Sequence, residues 1–419
     1  MKQYDSYKDS GVQWIGMIPS HWEIVRLKHY CDIYGRIGFR GYTNEDLVSE
    51  EDGAITLSPT NIVDGKMNYD KCSYLSWDKY YESPEIMVSN GDMIFVKTAS
   101  VGKNALVENL PKEATLNPQF VVFKNIKCNK KYLYWQFQTP NIQYQVDDSK
   151  VGSTIPTISQ EKIGNYTLLM PSHNEQQTIA SYLDKKCAEI DKAIATQQKR
   201  IELLQELRQN IITHAVTRGI NPDVPLKDSG VEWIGKIPEH WSIKRMRFLC
   251  RINTGDKDTI NKEDDGLYPF YVRSPQVERI NTYSYDGEAV LMAGDGVGAG
   301  KVVHYANGKF DYHQRVYCFY DYKEVKTLFA FYYLSSNFRY KIEEGGAKNT
   351  VDSVRLPWLK DFPICIPSLE EQDEILIYIA KETAKLDKLM SKANRQISLL
   401  QELKQSLITE VVTGKRKVC

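Results

Sequence analysis

The chain opens each of its two halves with the same motif. Residues 9–22 read Asp-Ser-Gly-Val-Gln-Trp-Ile-Gly-Met-Ile-Pro-Ser-His-Trp, and residues 228–241 repeat it with eleven of fourteen positions identical. A second pair of segments shares Pro-Ser-x-x-Glu-Gln, at residues 171–176 and 367–372. Because repeated sequence builds repeated structure, we predict two similar domains. Each has a shared opening, a divergent middle and a shared ending, and the first middle is the longer.

The two shared endings have the pattern of long helices. Proline is absent between Pro171 and Pro222 and after Pro367. Apolar residues recur at alternating three- and four-residue steps, which predicts a heptad-like seam through which the helices pack on each other. The seam positions are Leu183, Cys187, Ile190, Ile194, Ile201, Leu204, Ile211 and Ala215, then Ile379, Leu386, Met390, Ala393, Ile397, Leu400, Leu407 and Val411. Polar residues interrupt it at Gln197, Arg208, Thr383 and Lys404. The alternative is an ordinary amphipathic helix on a globular core.

The divergent middles have short β-type runs separated by turn residues, with two aromatic-rich segments typical of helices. The runs are residues 92–96, 120–123, 289–292 and 315–319, and the helical segments are 131–139 and 326–337. We therefore predict an α+β chain with two mixed α/β domains and two long helices. The predicted boundaries are 1–170 for the first domain, 171–220 for the central helix, 221–366 for the second domain and 367–419 for the C-terminal helix.

Composition limits the setting but does not point to nucleic acid. The chain has 54 basic and 54 acidic side chains, so any positive surface must come from uneven distribution or from a partner. Its eight cysteines form no Cys-x-x-Cys pair, which argues against structural zinc and a disulfide framework. We see no membrane span and no secretion signal, and we expect a cytoplasmic protein.

These motifs, in this order and present twice, resemble the specificity subunit of type I restriction–modification systems. The resemblance covers the whole chain. It rests on the opening motif of each half, on the Gly-Asp-x-Ile-Phe strand signal that begins at Gly91, and on the Glu-Gln start of each long helix.

The resemblance implies a function that periodicity cannot supply. In that family two target-recognition domains each read one half of a split site in double-stranded DNA, and antiparallel helices set the gap between the halves. Two methyltransferase subunits dock on the helices and methylate adenine N6 with S-adenosylmethionine. Restriction subunits with a motor and a nuclease complete the complex. The resemblance therefore implies no catalytic residue, cofactor or metal in this chain, with S-adenosylmethionine, ATP and Mg on the partners.

The glycine-rich segment 294–301 invites comparison with a phosphate-binding loop. It ends in Gly300-Lys301, but Asp295 stands where the loop requires its first glycine, and Val302 stands where Ser or Thr should bind magnesium. The better functional interpretation is a turn that brings backbone amides and Lys301 close to DNA, but we favour a plain β-turn without a binding role.

Other catalytic patterns are weaker still. Asp311 followed by Glu324 and Lys326 imitates a nuclease motif, but such loose spacing is common. The segment that begins Asn117-Pro118 lacks the second proline of an adenine methyltransferase motif. The histidines form no metal-binding pattern, and we expect structural roles for His21 and His240.

Base reading requires polar side chains on loops that can enter the major groove. We expect these among residues in or beside turn-rich stretches. The candidates in the first half are Arg36, Arg40, Thr60, Asn61, Lys97, Thr98, Lys103, Gln119, Ser153 and Thr154. The candidates in the second half are Arg273, Ser274, Lys301, His313, Gln314, Arg315, Lys348, Asn349 and Arg355.

Two other functions remain open from the sequence. One is a duplicated scaffold that binds protein partners without reading DNA, which the neutral charge permits. The other is a fused restriction enzyme that cleaves DNA itself, which the missing catalytic motifs argue against.

Overall fold

The computed structural model describes residues 3–344 and 353–418. The chain forms two compact units. The first contains the residues up to Thr196 together with those from Gln396 onward, and the second is Gln197–Arg395. Both units therefore contain part of each long helix.

The first unit is built from short strands, four short helices, the first part of one long helix and the last part of the other. Its strands are β1 (Tyr7–Asp9), β2 (Met17–Pro19), β3 (Glu23–Arg26), β4 (Asp32–Tyr34), β5 (Leu47–Val48), β6 (Gly53–Leu57), β7 (Ile62–Val63), β8 (Lys66–Met67), β9 (Ser73–Ser76), β10 (Met93–Val96), β11 (Asn104–Leu106), β12 (Ala114–Leu116), β13 (Phe120–Lys124) and β14 (Thr167–Met170). Its helices are α1 (Trp77–Tyr81), α2 (Lys130–Phe137), α3 (Pro140–Ser149), α4 (Gln160–Gly164) and the start of α5 (His173–Arg218).

The second unit repeats this plan with fewer elements. Its strands are β15 (Leu226–Asp228), β16 (Lys236–Pro238), β17 (Ser242–Arg245), β18 (Arg251–Thr254), β19 (Tyr268–Tyr271), β20 (Glu278–Ile280), β21 (Tyr285–Asp286), β22 (Ala289–Ala293), β23 (Val303–Ala306), β24 (Lys309–Tyr312), β25 (Val316–Tyr320) and β26 (Pro363–Ile366). Its helices are the end of α5, α6 (Thr327–Glu344), α7 (Leu356–Lys360) and most of α8 (Leu369–Val412).

A central antiparallel sheet lies between two apolar cores in each unit. The strand order is β11-β10-β13-β4 in the first unit and β18-β25-β22-β23 in the second. In β10, Met93 and Phe95 face the helix-lined core, whereas Ile94 and Val96 face the core against the second sheet. Successive side chains of a strand point to opposite faces, so a strand buried on both faces is apolar throughout. The strands predicted from such runs are confirmed.

The second sheet of each unit combines parallel and antiparallel strands. It has the order β12-β6-β9-β5 in the first unit and β20-β19-β24-β21 in the second. The pairs β12–β6 and β24–β19 are parallel in both units. The edge strands differ, because β5 lies beside β9, whereas β21 lies beside β24, the counterpart of β12. Residues 58–72, which include the β7–β8 hairpin, account for part of the extra length of the first half.

The opening motif folds into the same hairpin in both units. β1 pairs with β2, and β15 pairs with β16, in antiparallel register. Asp9 and Asp228 each accept a hydrogen bond from the backbone N–H two residues later. That residue is a glycine with positive φ in both repeats, at Gly11 and Gly230. Positive φ costs a residue with a Cβ, so these glycines are required by the turn.

The two long helices confirm the predicted seam. Every predicted seam position is buried or half-buried, including the four polar interruptions. In the first unit, Asp191 of α5 pairs with Lys404 of α8 at 2.5 Å, and in the second unit Arg208 pairs with Asp387 at 3.5 Å. In each unit the paired segments run antiparallel, because the start of one helix shares a core with the end of the other.

The helix bounds fall inside the predicted helical segments. α5 is His173–Arg218 and α8 is Leu369–Val412. The predicted helices at 131–139 and 326–337 correspond to α2 and α6, and α6 is longer than expected. Within the described ranges, the helices include none that is both long and apolar enough to span a membrane.

Candidate nucleic-acid interface

Three chain segments meet at one place in the first unit. The turn after β10, residues 97–103, is hydrogen-bonded to the turn before β13 and to the segment 151–158. The Lys97 N–H donates to the Gln119 carbonyl at 2.7 Å, and the Ile158 N–H donates to the Lys97 carbonyl at 2.8 Å. The hydroxyls of Thr98 and Thr157 lie 3.1 Å apart. We call these three segments the first junction.

The second unit contains the same backbone junction. Here the turn 294–301 follows β22, the turn 313–316 precedes β25, and residues 353–355 form the third segment. The Gly294 N–H donates to the Arg315 carbonyl at 2.8 Å, and the Val354 N–H donates to the Gly294 carbonyl at 2.8 Å. Asp295 bridges to Ser353 where Thr98 bridges to Thr157. We call these segments the second junction.

One turn of each junction is closed by a side chain. Asn117 Oδ1 accepts the Gln119 N–H at 3.0 Å, and His313 Nδ1 accepts the Arg315 N–H at 2.9 Å. His313 is 2% exposed, and burial, followed by the nearby charge of Arg273, lowers its pKa. Because Nδ1 accepts a hydrogen bond, the ring must be neutral to close this turn. Its burial and this hydrogen bond favour a structural role for His313 over the base contact that we predicted.

Most candidates of the first half lie on the first junction with exposed or half-exposed side chains. Lys97 is half-buried, and desolvation lowers its pKa. Lys103, Ser153 and Thr154 are exposed on two of its segments, while Thr98 and Gln119 are half-exposed. These side chains are accessible to a ligand, and their contact with bases remains a prediction.

The other first-half candidates lie outside the junction segments. Thr60 is exposed, and its hydroxyl lies 2.7 Å from that of Ser58. Arg40 pairs with Glu85 at 3.4 Å.

Two of these remaining candidates are buried in hydrogen-bond networks. Arg36 is 5% exposed and donates to the Leu116 and Arg40 carbonyls and to the Thr115 hydroxyl. Desolvation lowers its pKa. Asn61 is 2% exposed and donates to the carbonyls at 68 and 71. Polar groups satisfied in this way hold their loops in place, so both placements favour a structural role over base contact.

The second junction carries two arginines on one carboxylate. Arg273 donates to Asp295 at 3.0 Å, and Arg315 lies 3.6 Å from the same carboxylate. Gln314 is exposed and donates to Asp258 at 2.7 Å. Arg355 is exposed, with its guanidinium 5.9 Å from the Trp358 ring centroid.

The remaining second-half candidates divide into two groups. Ser274 is half-exposed and accepts the Gln276 N–H, and Lys301 is exposed at the end of its turn. Lys348 and Asn349 lie outside the described residues.

The glycine-rich turn has the wrong surroundings for a phosphate-binding loop. It joins β22 to β23, which pair antiparallel, so no helix begins at its end. Phosphate loops place the anion at a helix N-terminus. Gly300 serves packing instead, since it has φ +64° and a Cβ there would lie 2.5 Å from Ile342.

The other catalytic resemblances also separate in space. The Asp311 carboxylate accepts hydrogen bonds from Thr282 and Ser284 at 2.7 and 2.8 Å. Glu324 pairs with Lys244, and Lys326 pairs with Asp373, so the nuclease-like residues form no common site. In the part of the chain that the structure describes, no three His, Cys, Asp or Glu side chains are grouped to hold a metal ion.

The repeated His-Trp and Glu residues form a clamp at the start of each long helix. Glu175 accepts hydrogen bonds from His21 at 3.0 Å and from the Trp22 indole at 3.2 Å. Glu371 accepts the same pair from His240 and Trp241, both at 2.9 Å. Both tryptophans are fully buried. The structure thus gives His21 and His240 the structural role expected from their sequence positions.

The sequence reasoning missed the carboxylates at the second junction. Asp295 pairs with two arginines, and Asp258 accepts a hydrogen bond from Gln314. The prediction of residues that contact bases had considered only neutral polar and basic side chains. Asp295 was visible as the residue that breaks the phosphate-loop pattern. Its partners Arg273 and Arg315 are 22 and 20 positions away in sequence, so only the fold brings them together.

Comparison with known proteins now decides the family. A family model described as the type I restriction modification DNA specificity domain matches residues 19–205 and again residues 238–399. The chain belongs to this family. It is a DNA sequence-specificity subunit, and the double match confirms the repeat found in the sequence.

Two relatives show how far the similarity extends. The chain is 26% identical over 434 residues to a putative type I restriction enzyme MjaX specificity subunit of Methanocaldococcus jannaschii, covering 96% of each. It is 29% identical over 181 residues to the type I restriction enzyme EcoDI specificity subunit of Escherichia coli. That match covers 43% of this chain and 40% of the relative, so it spans less than half of the EcoDI subunit.

A solved structure shares the fold of this specificity subunit. It is described as "Structural basis underlying complex assembly and conformational transition of the type I R-M system". The TM-score is 0.69 at 17% identity, with 94% of this chain and 98% of that chain covered. This likeness supports the mixed α/β units with long helices.

Proposed function

We propose that the two junctions of this specificity subunit read the two halves of a split site in double-stranded DNA. The observation that carries the proposal is one backbone arrangement built twice with different side chains. Lys97, Thr98 and Gln119 stand where the second junction has Gly294, Asp295 and Arg315. A constant frame with variable polar tips is what reading two different sequences requires, because base edges are distinguished by side-chain donors and acceptors.

The chemistry that follows recognition belongs to partner subunits in this proposal. Two methyltransferase subunits methylate adenine N6 with S-adenosylmethionine, and restriction subunits use ATP and Mg for cleavage. This chain chooses the sequence and carries no catalytic residue or cofactor. Its equal numbers of basic and acidic side chains support a shared grip on DNA, since phosphate contacts need net positive surface. We propose a cytoplasmic location for the complex, because it acts on host DNA.

The test compares adenine-N6 methylomes of the host with and without this gene. We expect methylation at one bipartite motif to vanish on deletion and to return with the wild-type gene. Complementation with the Arg315→Ala variant should alter one half of the motif and leave the other half intact. An unchanged methylome after deletion would count against the proposal.

A binding experiment separates DNA reading from a protein-only scaffold. The full chain with its methyltransferase partner is titrated against random duplexes at rising salt. Specific reading predicts salt-sensitive binding and the enrichment of one sequence. Absence of DNA binding at every salt concentration would favour the scaffold.

A further inference from the structure

Asp295 pairs with two arginines at the second junction. Its carboxylate lies 3.0 Å from Nη1 of Arg273 and 3.6 Å from Nε of Arg315. The Asp295 side chain is 22% exposed, whereas those of Arg273 and Arg315 are 46% and 65% exposed. The carboxylate is therefore set back in the fold, and the two guanidinium groups extend towards solvent.

The backbone around this carboxylate is held on several sides. Gly294 donates to the Arg315 carbonyl and accepts from the Val354 N–H, and Asp295 bridges to Ser353. The Arg273 carbonyl packs against Gly298 of the turn 294–301, where an added Cβ would lie 2.6 Å from the carbonyl oxygen. All three charged side chains therefore start from one fixed backbone frame.

The remaining donors suit one base in particular. Arg273 uses Nη1 for Asp295, which leaves its Nε–Nη2 edge for another acceptor pair. Arg315 faces Asp295 through Nε, which leaves its two terminal nitrogens. A planar pair of donors matches the O6 and N7 acceptors of guanine in the major groove. A carboxylate that fixes the arginine rotamer lowers the entropy lost when this contact forms.

The first junction lacks this arrangement. Thr98 stands at the position of Asp295, and its hydroxyl lies 3.1 Å from that of Thr157. The described residues place no carboxylate within ion-pair distance of Lys97. The paired-arginine device is therefore specific to the second domain.

We infer that Asp295 is a positioning residue that holds Arg273 and Arg315 for guanine, and that the half-site read by the second domain contains guanine. The inference rests on the proposed reading of a split DNA site. Asp295 contacts no base in this scheme and acts through the arginines. The negative charge of Asp295 also repels the DNA phosphates. It should therefore lower affinity for duplexes that lack the guanine contact.

The experiment selects duplexes from a random library with the full chain and its methyltransferase partner. Wild type is compared with Asp295→Asn and with Asp295→Glu, which retains the charge. Arg315→Ala marks the half-site read by the second domain. The matched control is Asp361→Asn, because Asp361 also pairs with two arginines, Arg245 and Arg247. It follows the C-terminal end of α7, whereas the second junction ends just before the N-terminal end of this helix. Thermal unfolding of each variant verifies the fold.

We expect wild type to select guanine in the half-site that Arg315→Ala disturbs. Asp295→Asn should reduce that guanine preference about tenfold, the size of one good arginine–guanine contact. It should raise affinity for unrelated duplexes a few-fold. A merely structural loss would instead lower both the guanine preference and the affinity for unrelated duplexes. Asp295→Glu should retain part of the preference, and Asp361→Asn should retain all of it.

Three results would overturn the inference. The first is a half-site disturbed by Arg315→Ala that contains no guanine. The second is an Asp295→Asn variant that keeps the full guanine preference. The third is an Asp361→Asn variant that loses as much of this preference as Asp295→Asn. In these cases a bipartite motif is still selected, so the proposed function stands. If wild type selects no sequence at all, the proposed function fails and the inference fails with it.

Discussion

The clamp between the opening motif and the long helix gives a quantitative prediction for stability. In the second unit, the indole N–H of Trp241 donates to Glu371 at 2.9 Å, and Trp241 is completely buried. The substitution Glu371→Ala removes the acceptor of this indole, and the described residues offer no other. The His240 side chain is 51% exposed, so its pair with Glu371 adds little.

The expected cost is about 2 kcal/mol of unfolding free energy. A hydrogen bond to a charged group contributes about 1.5–3 kcal/mol, and loss of the partner leaves a buried donor unsatisfied. For a unit of about 200 residues this corresponds to a fall in Tm of about 4–8 °C. Calorimetry of the full chain measures it, and the affected transition should be that of the second unit.

The neighbouring residue provides a matched control. Glu370 is exposed in the same first turn of α8, so Glu370→Ala removes the same favourable charge from the helix N-terminus. The difference between the two variants then isolates the contact with Trp241. Glu371→Gln, which keeps an acceptor, should lose less than Glu371→Ala. Equal shifts for Glu370→Ala and Glu371→Ala would refute the reasoning.

The junction residues give further predictions. Burial lowers the pKa of His313 below its ordinary value of 6.5, so the neutral ring stabilises the fold above that pH. This contribution is lost as pH falls below 6.5, because the unfolded chain then binds the proton more readily. His313→Asn copies Asn117 and should preserve the turn while flattening the dependence of unfolding free energy on pH between 5 and 7. Asn61→Ala should cost about 2 kcal/mol in chemical unfolding, because two carbonyls and one N–H lose their partner. Lys103→Ala should leave stability unchanged and weaken DNA binding in a salt-dependent way.

Each of these predictions has a result that contradicts it. An unchanged pH slope in His313→Asn would mean that another group, such as the half-buried His304 with its lowered pKa, carries the acid sensitivity. A stable Asn61→Ala variant with weakened DNA binding would return Asn61 to the interface. Identical salt dependence for Lys103→Ala and wild type would remove Lys103 from it.

The sequence alone determined the organisation of this specificity subunit. The repeated motif predicted two similar domains, and each copy does build the same hairpin and the same clamp. The apolar steps of the long helices predicted the seam, including its half-buried Arg208 and Lys404. These features are local or periodic, so the spacing of residues along the chain is enough to reveal them.

The candidate interface was only partly accessible from the sequence. Exposed candidates such as Lys103 and Ser153 lie on a junction, since turn-rich stretches are usually on the surface. Arg36, Asn61 and His313 have the same residue types but are buried, because long-range partners satisfy their polar groups. Sequence spacing does not contain those partners.

The tertiary structure decided which charges act together. The turn at Asp295, the segment at Arg273 and the turn at Arg315 come from separate parts of the second domain. They meet because the strands that carry them are hydrogen-bonded side by side. Strand pairing is non-local, so the sequence alone shows only an acidic residue inside a glycine-rich turn. The fold shows a carboxylate that orients two arginines.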